Sequence, residues 1–183
     1  MFGTYVEIGW EHICDIHAYD HLLFVVVISL GIEWSDWKKL IKLLSAFTVG
    51  HSMSLIYAVW YPVGISVVWI EYLILASIGL SILLKWFRRN EWIEHWLLVL
   101  FFGWIHGMGF SNYLKALFGK SGAVWEALLA FNIGIELGQI TIVLLFLLFQ
   151  WIFLKLIKIP VETVHRIQLI LVSFAFLCIL LLS

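Results

Sequence analysis

Apolar residues fill this chain in long blocks separated by short polar breaks. Runs near residues 16–33, 40–60, 65–86, 93–113, 124–154 and 163–182 each approach or exceed the roughly 20 residues that a helix needs to cross a bilayer. The run at 124–154 is long enough to tilt or to project past the membrane surface. Trp34, Trp60, Trp69, Trp86 and Trp125 fall near run ends, where an interfacial aromatic belt would place them. Pro62-Val63-Gly64 reads as a turn, and Pro160 interrupts the chain before the last run. The pattern predicts an all-α fold, a polytopic membrane helix bundle with six transmembrane helices. It predicts a single integral membrane domain over residues 1–183, with residues 1–15 an N-terminal segment on the outer side that bears metal-ligand candidates. No repeat is evident along the chain. Related halves would have opposite topology, and their sequence similarity is too weak to support that relation.

Composition strengthens the membrane reading. The chain is 63% hydrophobic and 13% charged, with a mean hydropathy of +1.04. Soluble domains are nearer half apolar and a quarter charged. Net charge is −1, so the expected partners are membrane lipid and an ion, with no nucleic acid; a homo-oligomer stays open. No basic segment precedes an apolar run at the N-terminus, so no cleavable signal is expected. Cys14 and Cys178 lack metal-type spacing, and their pairing stays open.

Lysines and arginines orient the bundle. Lys38, Lys39, Lys42, Lys85, Arg88, Arg89, Lys155, Lys158 and Arg166 fall on one side, against Lys115 and Lys120 on the other. The basic-rich side is cytoplasmic by the positive-inside rule. Both termini are then on the outer, periplasmic side, and the expected location is a bacterial inner membrane.

The polar residues inside the apolar runs change the picture most. Residues 9–24 read GWEHICDIHAYDHLLF and hold His12, Asp15, His17, Asp20 and His21. Ionisable groups in a bilayer core cost about 2.5–3.5 kcal/mol each on insertion scales, so such a cluster needs partners. Later runs add His51, Glu71, His106 and Glu136. Ser45, Thr48 and Ser52 share a helical face near His51, while Asn132, Glu136 and Gln139 share another. Gly103/Gly107 and Gly134/Gly138 are small-xxx-small pairs that are expected to bring His106 towards Glu136. A lone intramembrane histidine commonly bonds a carbonyl on a neighbouring helix. Several imidazoles and carboxylates at similar depth point instead to a divalent transition metal ion, zinc or nickel above others. The candidate metal ligands are His12, Asp15, Asp20, His21, His51, Glu71, His106 and Glu136, in the outer half of the bilayer. His17 is a weaker candidate. His95 and His165 lie near cytoplasmic ends and read as interfacial, and Met53 and Met108 as packing residues.

These stretches together resemble the HupE/UreJ family of bacterial membrane proteins. The matching pieces are G-x-x-H-I at 9–13, D-H-L-L-F at 20–24, A-F-T-x-G-H-S at 46–52, Glu71, H-G-M-G-F at 106–110 and F-N-I-G-x-E-x-G-Q at 131–139. The resemblance implies a role like that of the nickel or cobalt permeases associated with hydrogenase and urease systems. Permease-type members have a shorter His-to-Asp-His interval with Pro after the first His. Here Ile13 follows His12 and Asp15 falls within a longer interval, as in a divergent subgroup.

Two functions fit. In a metal permease, His12, Asp15 and His21 would capture the ion, and His51, Glu71, His106 and Glu136 would pass it inward. In an intramembrane zinc-dependent hydrolase, a metal-held water would attack substrate, with Glu136 or Asp20 as catalytic base. The resemblance favours the permease. The sparse polarity of the inner half of run 124–154 favours the hydrolase.

Overall fold

The computed structural model of the chain describes residues 1–15, 19–61, 64–87, 95–118 and 124–182, without the side chains of 59, 112–118, 157 and 182. Helices dominate them: α1 (Phe2–Cys14), α2 (Tyr19–Ser29), a 3-10 turn (Trp34–Asp36), α3 (Trp37–Trp60), α4 (Val67–Trp86), α5 (Trp96–Phe118), α6 (Val124–Ile157) and α7 (Val161–Leu182). The protein is all-α, 90% helical, with no strand among the described residues. Trp34–Ala58, Val67–Trp86, Val124–Leu156 and Val161–Leu181 are long and apolar enough to cross a membrane. The pair α1 and α2 is a further candidate if its two halves are one broken span. This is an integral membrane protein with four to five candidate crossings by that measure.

Helices α3 to α7 follow the predicted runs to within a few residues. The first run differs, because helix begins at Phe2 and is interrupted before Tyr19, with a 73° bend between α1 and α2. Glu7, Glu11 and Asp15 recur every fourth position and give α1 a polar face, while Gly9 and Ile13 are buried on another. A hydropathy window averages these faces and hides the helix. Asp15 ends α1 in extended backbone, its N–H still bonded to Glu11 O at 2.8 Å.

Two close helix pairs form the frame. Helix α1 lies along α6, and α3 along α5, more extensively than any other pair. Glycines allow both approaches. A methyl group at Gly9 would collide with the carbonyl of Phe131, and one at Gly134 with that of Val6. On the other seam, Gly50 abuts the carbonyl of Leu100, Gly103 that of Phe47, and Gly107 both Ser54 and His51. Gly138 meets Ile13 and Cys14 further along α1, so α1 and α6 run parallel; the order of contacts makes α3 and α5 parallel too. Both small-xxx-small pairs therefore work as helix contacts, but not between α5 and α6 as the sequence suggested. Gly103/Gly107 seat α3 and Gly134/Gly138 seat α1, because those partners also present exposed backbone at glycine or serine.

The main core lies among α2, α3, α4 and α5, where Phe24, Phe47, Ile28, Leu43 and Ile78 are fully buried. Helix α7 lies at the periphery, with 11% of its most apolar stretch buried against 50% for that of α3. Its Leu171, Phe174 and Leu181 are exposed, as a lipid-facing surface requires. Gly31, at φ +77°, turns the chain after α2. Beside it Lys85 is buried and donates to Leu30 O at 2.6 Å. Next to that bond, Gln150 Nε2 lies 3.3 Å from His165 Nε2, and Gln168 donates to Gln150 Oε1 at 3.4 Å.

Candidate metal centre

Four helices each bring one imidazole to a common point. His12 comes from the last turn of α1, His21 from the first turn of α2, and His51 and His106 from within α3 and α5. Donor atoms of His12, His21 and His51 all lie within 4.8 Å of one another. Ring centroids are 4.6 Å apart for His12 and His21, 5.8 Å for His12 and His51, and 6.0 Å for His21 and His51. His106 joins them through His21, at 5.4 Å. His51 and His106 are buried in full, and His21 almost so.

The hydrogen bonds decide which nitrogens are available. His21 Nδ1 lies 3.0 Å from Asp20 Oδ1, and His106 Nδ1 lies 2.8 Å from Phe102 O. A carboxylate and a carbonyl only accept, so each Nδ1 carries the proton and each Nε2 presents a lone pair. Among the described residues, His12 Nε2, His21 Nε2, His106 Nε2 and both ring nitrogens of His51 are buried without a hydrogen-bond partner. Leaving such an atom unpaired costs roughly 1–3 kcal/mol. With one nitrogen of His51 carrying its proton, four lone pairs, one from each ring, suit a cation that accepts them. A divalent ion bound by neutral imidazoles has this donor chemistry, with Asp20 and the Phe102 carbonyl setting the orientation of His21 and His106.

Phenylalanines wall the cluster. His12 packs against the stacked pair Phe110 and Phe131, with ring centroids at 4.0 Å and 5.7 Å. His106 packs against the pair Phe24 and Phe47, with ring centroids at 5.0 Å and 5.1 Å. The sequence reading passed over these four rings, although two end the D-H-L-L-F and H-G-M-G-F motifs.

The carboxylates are spread more widely. Asp20 faces Nδ1 of His21, and its Oδ1 also accepts the His21 backbone N–H at 2.9 Å. Asp15 is exposed and lines, with Glu11, His12 and Trp10, an open cavity of about 460 Å³. Glu71 is exposed on α4 and lines a different cavity with Tyr19 and Asp20. Glu136 accepts a hydrogen bond from Ser45, and one turn away Thr48 donates to Gln139 Oε1 at 3.1 Å. The two polar faces expected on α3 and α6 thus meet each other, beside His51. His17 lies outside the described residues. His95 is exposed, His165 is held by Gln150, and Cys14 and Cys178 are free.

The profile of the family described as HupE / UreJ protein matches residues 1–182. The chain belongs to the HupE/UreJ family. No curated protein and no solved structure matches it. HupE/UreJ proteins are known for functions related to nickel and cobalt transport. The stretches that carry the family resemblance are those that build the centre. D-H-L-L-F supplies His21 and Phe24, A-F-T-x-G-H-S supplies Phe47, Gly50 and His51, H-G-M-G-F supplies His106 and Phe110, and F-N-I-G-x-E-x-G-Q supplies Phe131, Gly134 and Glu136.

Proposed function

We propose that this HupE/UreJ protein is a divalent transition-metal permease of a bacterial inner membrane, with nickel, cobalt or zinc as cargo. The observation that carries the reading is the convergence of four histidines, three of them buried and His12 partly so, whose buried Nε2 atoms have no hydrogen-bond partner. His12, at the edge of the cavity shared with Glu11 and Asp15, is the point of capture. Its acidic neighbours favour a cation there. His21, His51 and His106 hold the ion, and Asp20 fixes the orientation of His21. The ladder of Ser45, Glu136, Thr48 and Gln139 continues polar contact along α3 and α6. It extends polar contact from the level of His51 to the middle of α6, and the inner half of α6 stays sparse in polar groups.

Counting the broken pair α1 and α2 and the shorter α5 with the four long stretches gives six crossings with both termini periplasmic. The basic asymmetry supports that orientation. Thiol labelling tests it: cysteines beside Lys38, Arg88 and Lys158 should be shielded from an impermeant reagent added outside, and labelling at Arg88 would overturn it.

The functional test is uptake. Protein purified without bound metal and reconstituted in liposomes should accumulate Co²⁺ or Ni²⁺, and His51→Ala should abolish accumulation. Stoichiometric zinc kept through dialysis, with no accumulation, would overturn the permease and favour the zinc-dependent hydrolase with Glu136 or Asp20 as base.

A further inference from the structure

Helix α1 carries its acidic charge in one row. Glu7, Glu11 and Asp15 recur every fourth position and are all exposed, so they mark a face about 12 Å long. Carboxylates four apart on a helix have Cβ atoms roughly 6 Å apart and repel one another. The helix contains no lysine or arginine to relieve them, and its basic end is His12 alone. Such a row weakens a helix unless a cation lies along it.

The end of the row nearest the histidines opens on the cavity of about 460 Å³, where Glu11, Asp15 and His12 meet the apolar Ile8, Trp10 and Phe110. Six waters occupy roughly 180 Å³ in the liquid, so an ion with a complete octahedral shell fits with space to spare. The walls favour its keeping that shell. Ile8, Trp10 and Phe110 present no side-chain atom that ligates a metal. The Cys14 thiol, also in the lining, is turned to the carbonyl of Gly138 at 3.9 Å. His12 lines the cavity with its Nε2 buried. Glu11 and Asp15 remain, and two carboxylates are too few to replace an octahedral shell. They are well suited to hold one. A carboxylate accepts hydrogen bonds at about four sites, and bonds to an ionised acceptor are the strong ones.

The centre beyond offers the reverse. Each ring supplies one neutral lone pair, and Phe24, Phe47, Phe110 and Phe131 wall the rings, so an ion entering it exchanges water for imidazole. The two environments meet at two side chains. Phe110 lines the cavity and packs 4.0 Å from His12. His12 lines the cavity and also belongs to the centre, where donor atoms of His12, His21 and His51 lie within 4.8 Å of one another.

We propose that the acidic face of α1 binds the cargo as a hydrated cation, through hydrogen bonds from its water shell to Glu11 and Asp15, and that the shell is shed at His12. The proposal rests on the permease reading for its cargo. It gives Glu11, which no motif singled out, a part in capture. It makes Asp15 a partner of the water shell rather than a direct ligand. Glu7, two turns from Asp15, adds attraction at longer range.

Hexaamminecobalt(III) tests it. Its ammonia ligands do not exchange, so it presents an octahedron of N–H donors and cannot be ligated by imidazole. Titration calorimetry with the metal-free protein in detergent should show it bound, and in liposomes it should inhibit Co²⁺ uptake competitively. Glu11→Gln/Asp15→Asn should weaken its binding at least tenfold, and the visible absorption of Co²⁺ held by that variant shows that it folds. His21→Ala should bind the complex as the parent does. Spermidine, of equal charge without the octahedral shape, should bind at least tenfold less tightly. No binding of the hexaammine, binding indifferent to Glu11→Gln/Asp15→Asn, or equal binding of spermidine overturns the proposal. Hexaammine binding that depends on Glu11 and Asp15, without Co²⁺ uptake by the parent, supports the hydrated site and removes the permease. Co²⁺ uptake by a parent that does not bind the hexaammine removes the hydrated site and leaves the permease.

Discussion

Two polar clusters lie within this apolar bundle, and one satisfies most of its polar atoms while the other leaves five ring nitrogens without a partner. At the end of the bundle near Gly31, Lys85 finds the carbonyl of Leu30, and Gln150 bonds both His165 and Gln168, with Gln168 Oε1 left without a partner. At the meeting of the two seams, five imidazole nitrogens have no hydrogen-bond partner, although the nitrogens are buried. Both clusters contain histidine beside charged groups. A cluster that satisfies most of its polar atoms stabilises helix contacts, while one that leaves a lone pair bare on every imidazole is prepared for a ligand. The difference cannot be read from polarity alone.

His21→Ala should have the largest effect, since it removes the ring that neighbours all the others. The dissociation constant for Co²⁺, measured by titration calorimetry in detergent, should rise by at least about 100-fold, beyond the usual effect of an outer partner. An equal loss in His165→Ala would erase the distinction between the clusters. Asp20→Asn should cost less, on the order of 10–100-fold in affinity, because the imidazole remains but its orientation and tautomer are held more weakly. Unchanged affinity would mean that Asp20 does not set the ring.

Gly103→Ala should lower stability by roughly 1–3 kcal/mol, as overpacking does elsewhere, and displace His106 with the seam. Thermal unfolding in detergent would show a lower midpoint, whereas Gly3→Ala, with nothing nearby, should leave it unchanged. The smallest effect is expected for His165→Ala. It should cost about 1 kcal/mol or less and leave metal content, measured by elemental analysis, as in the parent.

Much of the helix pattern was legible because crossing a bilayer demands long apolar runs, and α3 to α7 supply them. Helix α1 was not, because Glu7, Glu11 and Asp15 dilute its apolar side. His21, His51 and His106 stood out as imidazoles inside apolar sequence. That Asp20 would turn to His21, and that Glu136 would meet Ser45, depended on rotamers and on which helices become neighbours. The glycine pairs announced close contacts without naming partners, since a bare backbone fits any helix of suitable shape. The phenylalanines around His12 and His106 looked like ordinary packing residues until their neighbours were known.

The seam between α1 and α6 also constrains the order in which the protein can be made. Gly9 rests on Phe131, so α1 has no groove to occupy until α6 has emerged from the ribosome. At about 5–20 residues per second, that wait is roughly ten seconds. Throughout it the acidic face of α1 remains outside its final environment, and His12 is kept from its companions. The binding centre is thus completed near the end of biosynthesis, by the first helix arriving late. A nascent chain halted before α6 would display His21 and His51 without the partner that brings His12 to them.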